Sequence, residues 1–492
     1  MRKALYLSAL CAALLLAITQ IGAASGTFDT HFTDATLRVD YYHSGDAKSE
    51  AITIGRLYRS APWAGSITNL IDPMNLGKYC IKVSDPASGT LLFSRYFNTI
   101  FEEYQTTEAA LGGKMKTYEE SVLIPFPRRP VTLSFESRQK DQSMKEVMKT
   151  VIDPADTHIS SYSPDPSVEV IALSEAGDPH TRVDFSIIAE GYTEKEREKF
   201  IADAKKVTAA LFTQEPFAST RERFTIRALF KASPESGCDE PDFAIFRRTP
   251  LGCSFDSLGS ERYLLTERNE RLHDIASIAP YDTLAILVNT KRYGGGGIYN
   301  HYATCISDSQ WTNYVFIHEL GHSFAGLGDE YYTSKVEYTD FYPLDREPLT
   351  PNITALLDVK NLKWKDLVTA GTKIPTPWDK EHYDKNDMRY QDIRDRIYQK
   401  LAEAKRNRAS RDEIEKIERE QSQLSWKSYT QAQAILAADR GQGKVGAFEG
   451  AGYQVKGLYR PMLDCIMFSK GEKPFCRVCQ DIIRKRILFL SE

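Results

Sequence analysis

The chain changes its apolar rhythm more than once. Over residues 27–151 apolar and polar positions alternate with period two, as in Ala35-Thr36-Leu37-Arg38-Val39-Asp40-Tyr41-Tyr42, the mark of strands with one buried face. Runs at 28–32, 35–42, 79–83, 91–96, 118–125 and 131–135 predict strands, and Asn69, Pro73, Gly77, Pro86 and Gly89 predict the turns between them. Strands at this spacing predict an all-β sandwich domain over 27–151. Residues 152–180, with Pro154, Pro164, Pro166 and Pro179, read as a linker.

From residue 181 onward short, nearly continuous apolar runs alternate with amphipathic segments. Residues 183–189, 224–230 and 283–288 predict buried strands, while 193–212, with Thr193 as cap, and 261–278 predict helices. This β-α-β-α-β order predicts an α/β domain with largely parallel strands over 181–492. Gly294-Gly295-Gly296-Gly297 then predicts a flexible turn, and 298–305 carries strand character at the sheet edge. No Lys-Ser/Thr follows the glycines at a helix start, which argues against a phosphate-binding loop. An edge strand there would pair with an extended peptide through main-chain hydrogen bonds. Further on, apolar positions at Ile393, Ile397, Leu401 and Ala404, then Ile414, Ile417 and Leu424, predict a helical hairpin inserted at about 380–439. Its dense charge reads as a solvated face, with gating of substrate as the sharper alternative.

Composition narrows the partners. A net charge of -4 over 492 residues provides no electrostatic pull toward nucleic acid or acidic membranes. Residues 1–24 read as a cleavable signal: Arg2 and Lys3, an apolar run at 9–18, then Gly22-Ala23-Ala24. No later stretch is apolar enough to insert in a membrane, so a secreted, periplasmic or cell-surface protein, monomeric, is expected. Beyond Cys11 seven cysteines remain. Cys238 and Cys253 flank a Pro/Gly-containing loop and are the expected bridge, and a structural disulfide involving Cys465 is expected rather than a redox or half-knuckle role for Cys476-Arg477-Val478-Cys479.

The chemistry concentrates at Val315 to Tyr331, where His318, Glu319 and His322 spell H-E-x-x-H. On a helix, residues four apart share a face, so both imidazoles reach one ion. Zn(2+) is the ion this pattern points to, with Glu319 placed as general base. A chance occurrence in a chain this long is on the order of one in a hundred at average residue usage. Gly326 and Gly328 end the helix and permit a left-handed turn that swings an acid back. Asp329, first after the turn, is the expected third ligand, and Glu330 is its reserve. His31 and His43 show no acidic or Cys partner at ligand spacing.

At this point the sequence resembles the secreted bacterial IgA-peptidase family, zinc endopeptidases of the metzincin kind. The resemblance rests on His318 to Tyr332, on Phe448-Glu449-Gly450-Ala451-Gly452-Tyr453, on Gly457-Leu458-Tyr459-Arg460-Pro461, on Asp464-Cys465-Ile466-Met467 and on Phe475-Cys476 through Cys479. It implies an N-terminal β-domain ahead of a metzincin-like catalytic domain, Zn(2+), and a polypeptide substrate. It also implies a methionine turn, with Met467 beneath the histidines and Met462 as competitor. The chain departs from the common pattern in two places. Ala325 stands where a glycine is usual, and Asp329 comes seven residues after His322 rather than six. No Tyr follows Met467, which leaves Tyr459 as the candidate for transition-state stabilisation. Two rivals stand beside the endopeptidase: a surface-binding protein with a retained zinc site, and a zinc hydrolase of non-peptide substrates.

Overall fold

The computed structural model describes residues 28–60, 62–174, 177–333 and 342–492; the signal read at 1–24 lies outside them. The N-terminal part is β-rich, built on two four-stranded sheets. One runs in the order Lys116–Pro127, Phe32–Gly45, Glu50–Ser60, Ile159–Ser161, and the other in the order Leu91–Phe97, Tyr79–Ser84, Val131–Arg138, Met144–Ile152. Leu37, Val39 and Ile124 of the first share one buried cluster with Ile81, Phe93 and Phe135 of the second. Residues 28–31, expected as strand, are helical. Two short helices also interrupt the strands, Ile100–Gln105 and Glu108–Leu111, each opened by a threonine hydroxyl accepting from its first turn, Thr99 from the Glu102 amide and Thr107 from the Ala110 amide.

The stretch read as a linker carries structure. Its strand Ile159–Ser161 joins the first N-terminal sheet, and Val168–Ser174 pairs antiparallel with Phe224–Lys231. These short strands lie on edges and keep exposed polar residues, so their apolar rhythm is faint.

The second part is a six-stranded mixed sheet in the order Gly296–Gly297, Ala303–Ile306, Thr283–Val288, Val183–Glu190, Phe224–Lys231, Val168–Ser174. The four inner strands are parallel and both outer strands antiparallel. Every residue of Val183–Glu190 and Thr283–Val288 is buried, which accounts for their largely apolar character, Asp184, Ser186 and Glu190 being the buried polar exceptions in the first. Two expectations change here. The helix read at 261–278 is confined to Asn269–Ala276. The edge strand is the glycine pair Gly296–Gly297, while the region read as the edge ends in Ala303–Ile306, paired on both sides.

Helix Arg197–Leu211 follows a short turn in which Thr193 and Glu196 cap one another, the Thr193 amide donating to Glu196 Oε2 at 2.9 Å. Helix Thr312–Ala325 packs beside it, Phe316 stacking on Phe185 of the sheet with ring centroids 6.1 Å apart. The inserted hairpin consists of helices Lys380–Arg406 and Arg411–Ala438. Tyr398 and Leu401 pack on Phe243, and the Tyr398 hydroxyl donates to Asp242 at 2.5 Å, so this hairpin is anchored to the body.

Cys238 and Cys253 are free thiols, as are the other five cysteines of the described residues. The loop between them is clamped by a buried carboxylate instead. Glu190 accepts from the Cys253 and Leu251 amides, at 2.9 and 3.0 Å, and from Thr249.

Candidate metal centre

Helix Thr312–Ala325 ends at Gly326, whose φ of +63° is the left-handed conformation a side chain resists. The chain then doubles back through Leu327 and Gly328. Asn352, fully buried, holds this return: its Oδ1 accepts from the Gly328 amide at 2.7 Å, and its Nδ2 donates to Gly328 O at 2.9 Å and Glu330 Oε1 at 3.0 Å. A Cβ on Gly328 would come 2.7 Å from Ile353 Cδ1, so a larger residue here would have to displace the side chains packed on this turn.

The return brings Asp329 onto the helix face. Asp329 Oδ1 lies 3.0 Å from His318 Nε2 and 3.2 Å from His322 Nε2, and the two Nε2 atoms are 3.2 Å apart. His318 Nδ1 is 3.0 Å from Ile466 O, and His322 Nδ1 is 2.6 Å from Leu327 O. Each Nδ1 therefore carries the hydrogen donated to a carbonyl, which leaves both Nε2 lone pairs and a carboxylate oxygen aimed at one point. Two imidazole nitrogens and a carboxylate oxygen converging on one point make a donor set for a cation. Two imidazoles and a carboxylate match the donor set zinc takes, and a tetrahedral ion with bonds of about 2.0–2.1 Å would hold such atoms roughly 3.3 Å apart.

Without an ion, Asp329 and His322 favour each other's charged form, and a cation would take the place of the proton this pairing stabilises on His322. Burial opposes charge on Asp329, yet His322 and His318 hold its carboxyl far below the usual range. Burial likewise opposes charge on His322, but Asp329 and Glu319 raise it to about 9. Glu319 is pushed up by burial against the pull of the two histidines. Glu330 turns the other way, into the core, where burial raises it strongly. The structure thus separates the two acids that the sequence left as alternatives.

The glycine run passes directly over the histidine face. A Cβ on Gly297 would come 2.4 Å from Glu319 O, and one on Gly295 would come 2.9 Å from Glu319 Oε1. The run is a close-approach edge. Under the helix, Met467 is fully buried, and a Cβ on Gly321 would meet its Sδ at 2.8 Å. Met462 lies instead at the end of strand Gln454–Met462, paired with Val445.

Tyr459 does not reach this place: it sits mid-strand, its amide and carbonyl paired with Thr354. The tyrosine that does is Tyr453. Strands Val445–Ala451 and Gln454–Met462 form a hairpin whose turn residues Gly452 and Tyr453 both have positive φ, +55° and +63°. That pairing is a type I′ turn, and a tyrosine in it is costly. The Tyr453 hydroxyl donates to Asp329 Oδ2, while the Gly452 amide donates to Asp329 O at 2.9 Å and the Tyr453 amide to Tyr331 O at 3.1 Å. Tyr331 stacks on His318 with centroids 6.2 Å apart. Gly452-Tyr453 lacks the Asn-Gly or Asp-Gly signature of such turns, so only its place in the resembling segment marked it.

A cleft of about 280 Å³ opens over these residues. Arg262, Tyr293 and Lys470 line it, together with Tyr390 and Tyr429 of the inserted hairpin and Glu103 of the N-terminal part. His43, by contrast, has no place in the cleft. It is buried 3.0 Å from Glu120 and 3.3 Å from Glu50, partners that sequence spacing concealed.

The sequence profile of the IgA Peptidase M64 family matches residues 171–487, and that of the Peptidase M64 N-terminus matches residues 27–149. No curated protein matches the chain.

Proposed function

Because the chain belongs to the IgA peptidase M64 family and is therefore a peptidase, we propose that it is a zinc-dependent endopeptidase of the metzincin kind, exported and acting on extracellular proteins. The convergence of His318 Nε2, His322 Nε2 and Asp329 Oδ1 within 3.2 Å carries this reading. Zinc held by these three atoms would supply a Lewis acid that polarises a peptide carbonyl and acidifies water. His318 and His322 are fixed in the required tautomer by Ile466 O and Leu327 O. Tyr453 fixes the Asp329 carboxylate from behind.

Glu319 is the general base: it takes a proton from the attacking water and passes it to the leaving amine. Its burial beside the glycine run keeps its carboxyl above the ordinary range, which suits both halves of that transfer. The Gly296–Gly297 edge, antiparallel to its neighbour, offers main-chain groups to an extended peptide lying across the histidines. The inserted hairpin supplies one wall of the cleft, which favours a part in substrate access over a merely solvated face.

The same reading covers the layout: a β-sandwich domain over about 27–151 whose two sheets share one core, and a catalytic domain over 181–492 carrying the insertion. Export rests on the signal pattern at 1–24 alone. In the test, Glu319→Ala retains zinc and loses cleavage of an unfolded protein substrate such as casein. Cleavage by that variant at the parental rate overturns the assignment.

A further inference from the structure

A second set of metal-ligand side chains lies behind the histidine helix. Cys465, which directly precedes the Ile466-Met467 turn, meets Cys476 and Cys479 at the start of helix Arg477–Ser491, and Glu330 enters from the return loop. All four are buried, and their ligand atoms lie within 4.8 Å of one another. We propose that Cys465, Cys476, Cys479 and Glu330 bind a structural zinc ion, distinct from the ion of the cleft.

The distances suit an ion better than a disulfide. Cys465 Sγ and Cys479 Sγ are 3.9 Å apart, and Cys479 Sγ lies 3.4 Å from Glu330 Oε1. A tetrahedral zinc with bonds of about 2.3 Å to sulfur and about 2.0–2.2 Å to oxygen spaces its ligands at roughly 3.8 Å for S···S and roughly 3.5 Å for S···O. A disulfide would need about 2.05 Å. Joining any two of the sulfurs would also strand the third thiol and the carboxylate in the core.

The surroundings are prepared for anionic sulfur. The Cys476 amide donates to Cys465 Sγ at 3.2 Å, and the Cys479 amide donates to Cys476 Sγ at 3.4 Å. Cys476 is the N-cap of a fifteen-residue helix, whose positive end favours a thiolate. Glu330, with no solvent exposure, leaves Oε2 without any hydrogen-bond partner, an arrangement a protein core does not tolerate at a structural carboxylate unless a cation completes it. Arg460, also fully buried, interacts electrostatically with Glu330 and offsets the excess negative charge. Binding is non-redox: the protons held by the three thiols and by the Glu330 carboxyl leave to solvent as zinc forms three bonds to sulfur and one to carboxylate oxygen. Four protein ligands close the coordination sphere, which is the structural rather than the catalytic pattern.

Such an ion would join three segments that shape the cleft. Glu330 follows Asp329 directly, and its amide already donates to Met467 O at 2.8 Å. Cys465 fixes the near end of the turn whose Ile466 carbonyl orients His318. The cysteine pair ties both to the last helix.

To test this, the full chain is purified without added reductant, alongside a His318→Ala, His322→Ala double variant. Zinc is counted by mass spectrometry, and zinc X-ray absorption and the Co(2+)-exchanged spectrum report the ligands. Expected are two zinc ions per chain in the parent and one in the double variant. That remaining ion should show three sulfur neighbours and a sulfur-to-cobalt charge-transfer band, which Cys479→Ser weakens. If Cys479→Ser fails to fold, the sulfur count of the double variant decides alone. A double variant that holds no zinc, zinc without sulfur neighbours, or a disulfide among Cys465, Cys476 and Cys479 in peptide maps overturns the proposal. Loss of the cleft ion alone would instead count against the peptidase mechanism.

Discussion

Replacing Tyr453 by Phe removes one hydroxyl and almost nothing else. The ring keeps its shape, the positive φ at 453 is unchanged in kind, and the Gly452 and Tyr453 amides still bond Asp329 O and Tyr331 O. What is lost is the hydrogen bond to Asp329 Oδ2, made by a phenol whose ionisation burial and Asp329 both disfavour. A hydrogen bond to a charged group contributes about 1.5–3 kcal/mol. At about 1.4 kcal/mol per factor of ten, zinc affinity at the cleft should fall roughly 10- to 150-fold, in line with the about 10- to 100-fold typical of partners that orient metal ligands. The assay is competition for zinc against a chromophoric chelator, with the titration of the His318→Ala, His322→Ala variant subtracted. Tyr459→Phe is the control and should bind as the parent does, since that residue pairs with Thr354 away from the cleft. Parental affinity in Tyr453→Phe, or an equal loss in Tyr459→Phe, would refute the role given to this hydroxyl.

Three further outcomes are expected. Gly297→Ala places a methyl 2.4 Å from Glu319 O, and overpacking of this kind should cost about 1–3 kcal/mol; an unchanged urea midpoint would count against the close-approach reading of the glycine run. Asn352→Ala leaves the Gly328 amide and Glu330 without their partner in the core, and at about 1–3 kcal/mol per orphaned group it should cost at least about 2 kcal/mol in urea unfolding; a change below about 0.5 kcal/mol would contradict it. His43 is raised above 6.5 by Glu120 and Glu50 although burial opposes its charge, so its stabilisation is full below that value and fades as pH rises past it. Glu50, lowered to about 2 against burial chiefly by hydrogen bonds from His43 and Tyr79, contributes fully above 4.5 and loses this as pH falls. The stability gap between parent and His43→Ala should therefore be widest from about 4.5 to about 6.5 and narrower at about pH 8.5; a gap independent of pH would exclude the ion pair.

How much of this was legible in the chain depended on burial. Val183–Glu190 and Thr283–Val288, covered on both faces, kept largely apolar runs, and the helices of the insertion kept a stripe long enough to read. Strands Glu50–Ser60 and Met144–Ile152 are largely exposed, so charged residues overwrite their alternation. The histidine pair is a local pattern and was visible at once. Its third partner depended on which way a turn faces, and spacing alone left Asp329 and Glu330 as alternatives. Tyr453 was hidden for a similar reason: its place is set by a two-residue turn without the usual turn residues. The Cys465, Cys476, Cys479 and Glu330 group needs three distant segments to meet, so the sequence offered only its Cys-x-x-Cys half.

The decisive measurement is hydrolysis of an unfolded protein substrate by the parent and by His318→Ala, His322→Ala, each as purified, after chelation, and after zinc is restored. Cleavage by the parent should vanish on chelation and return with zinc, and the double variant should cleave under none of these conditions. A chelated parent that keeps its rate, or a double variant that cleaves, would contradict a zinc peptidase centred on these histidines.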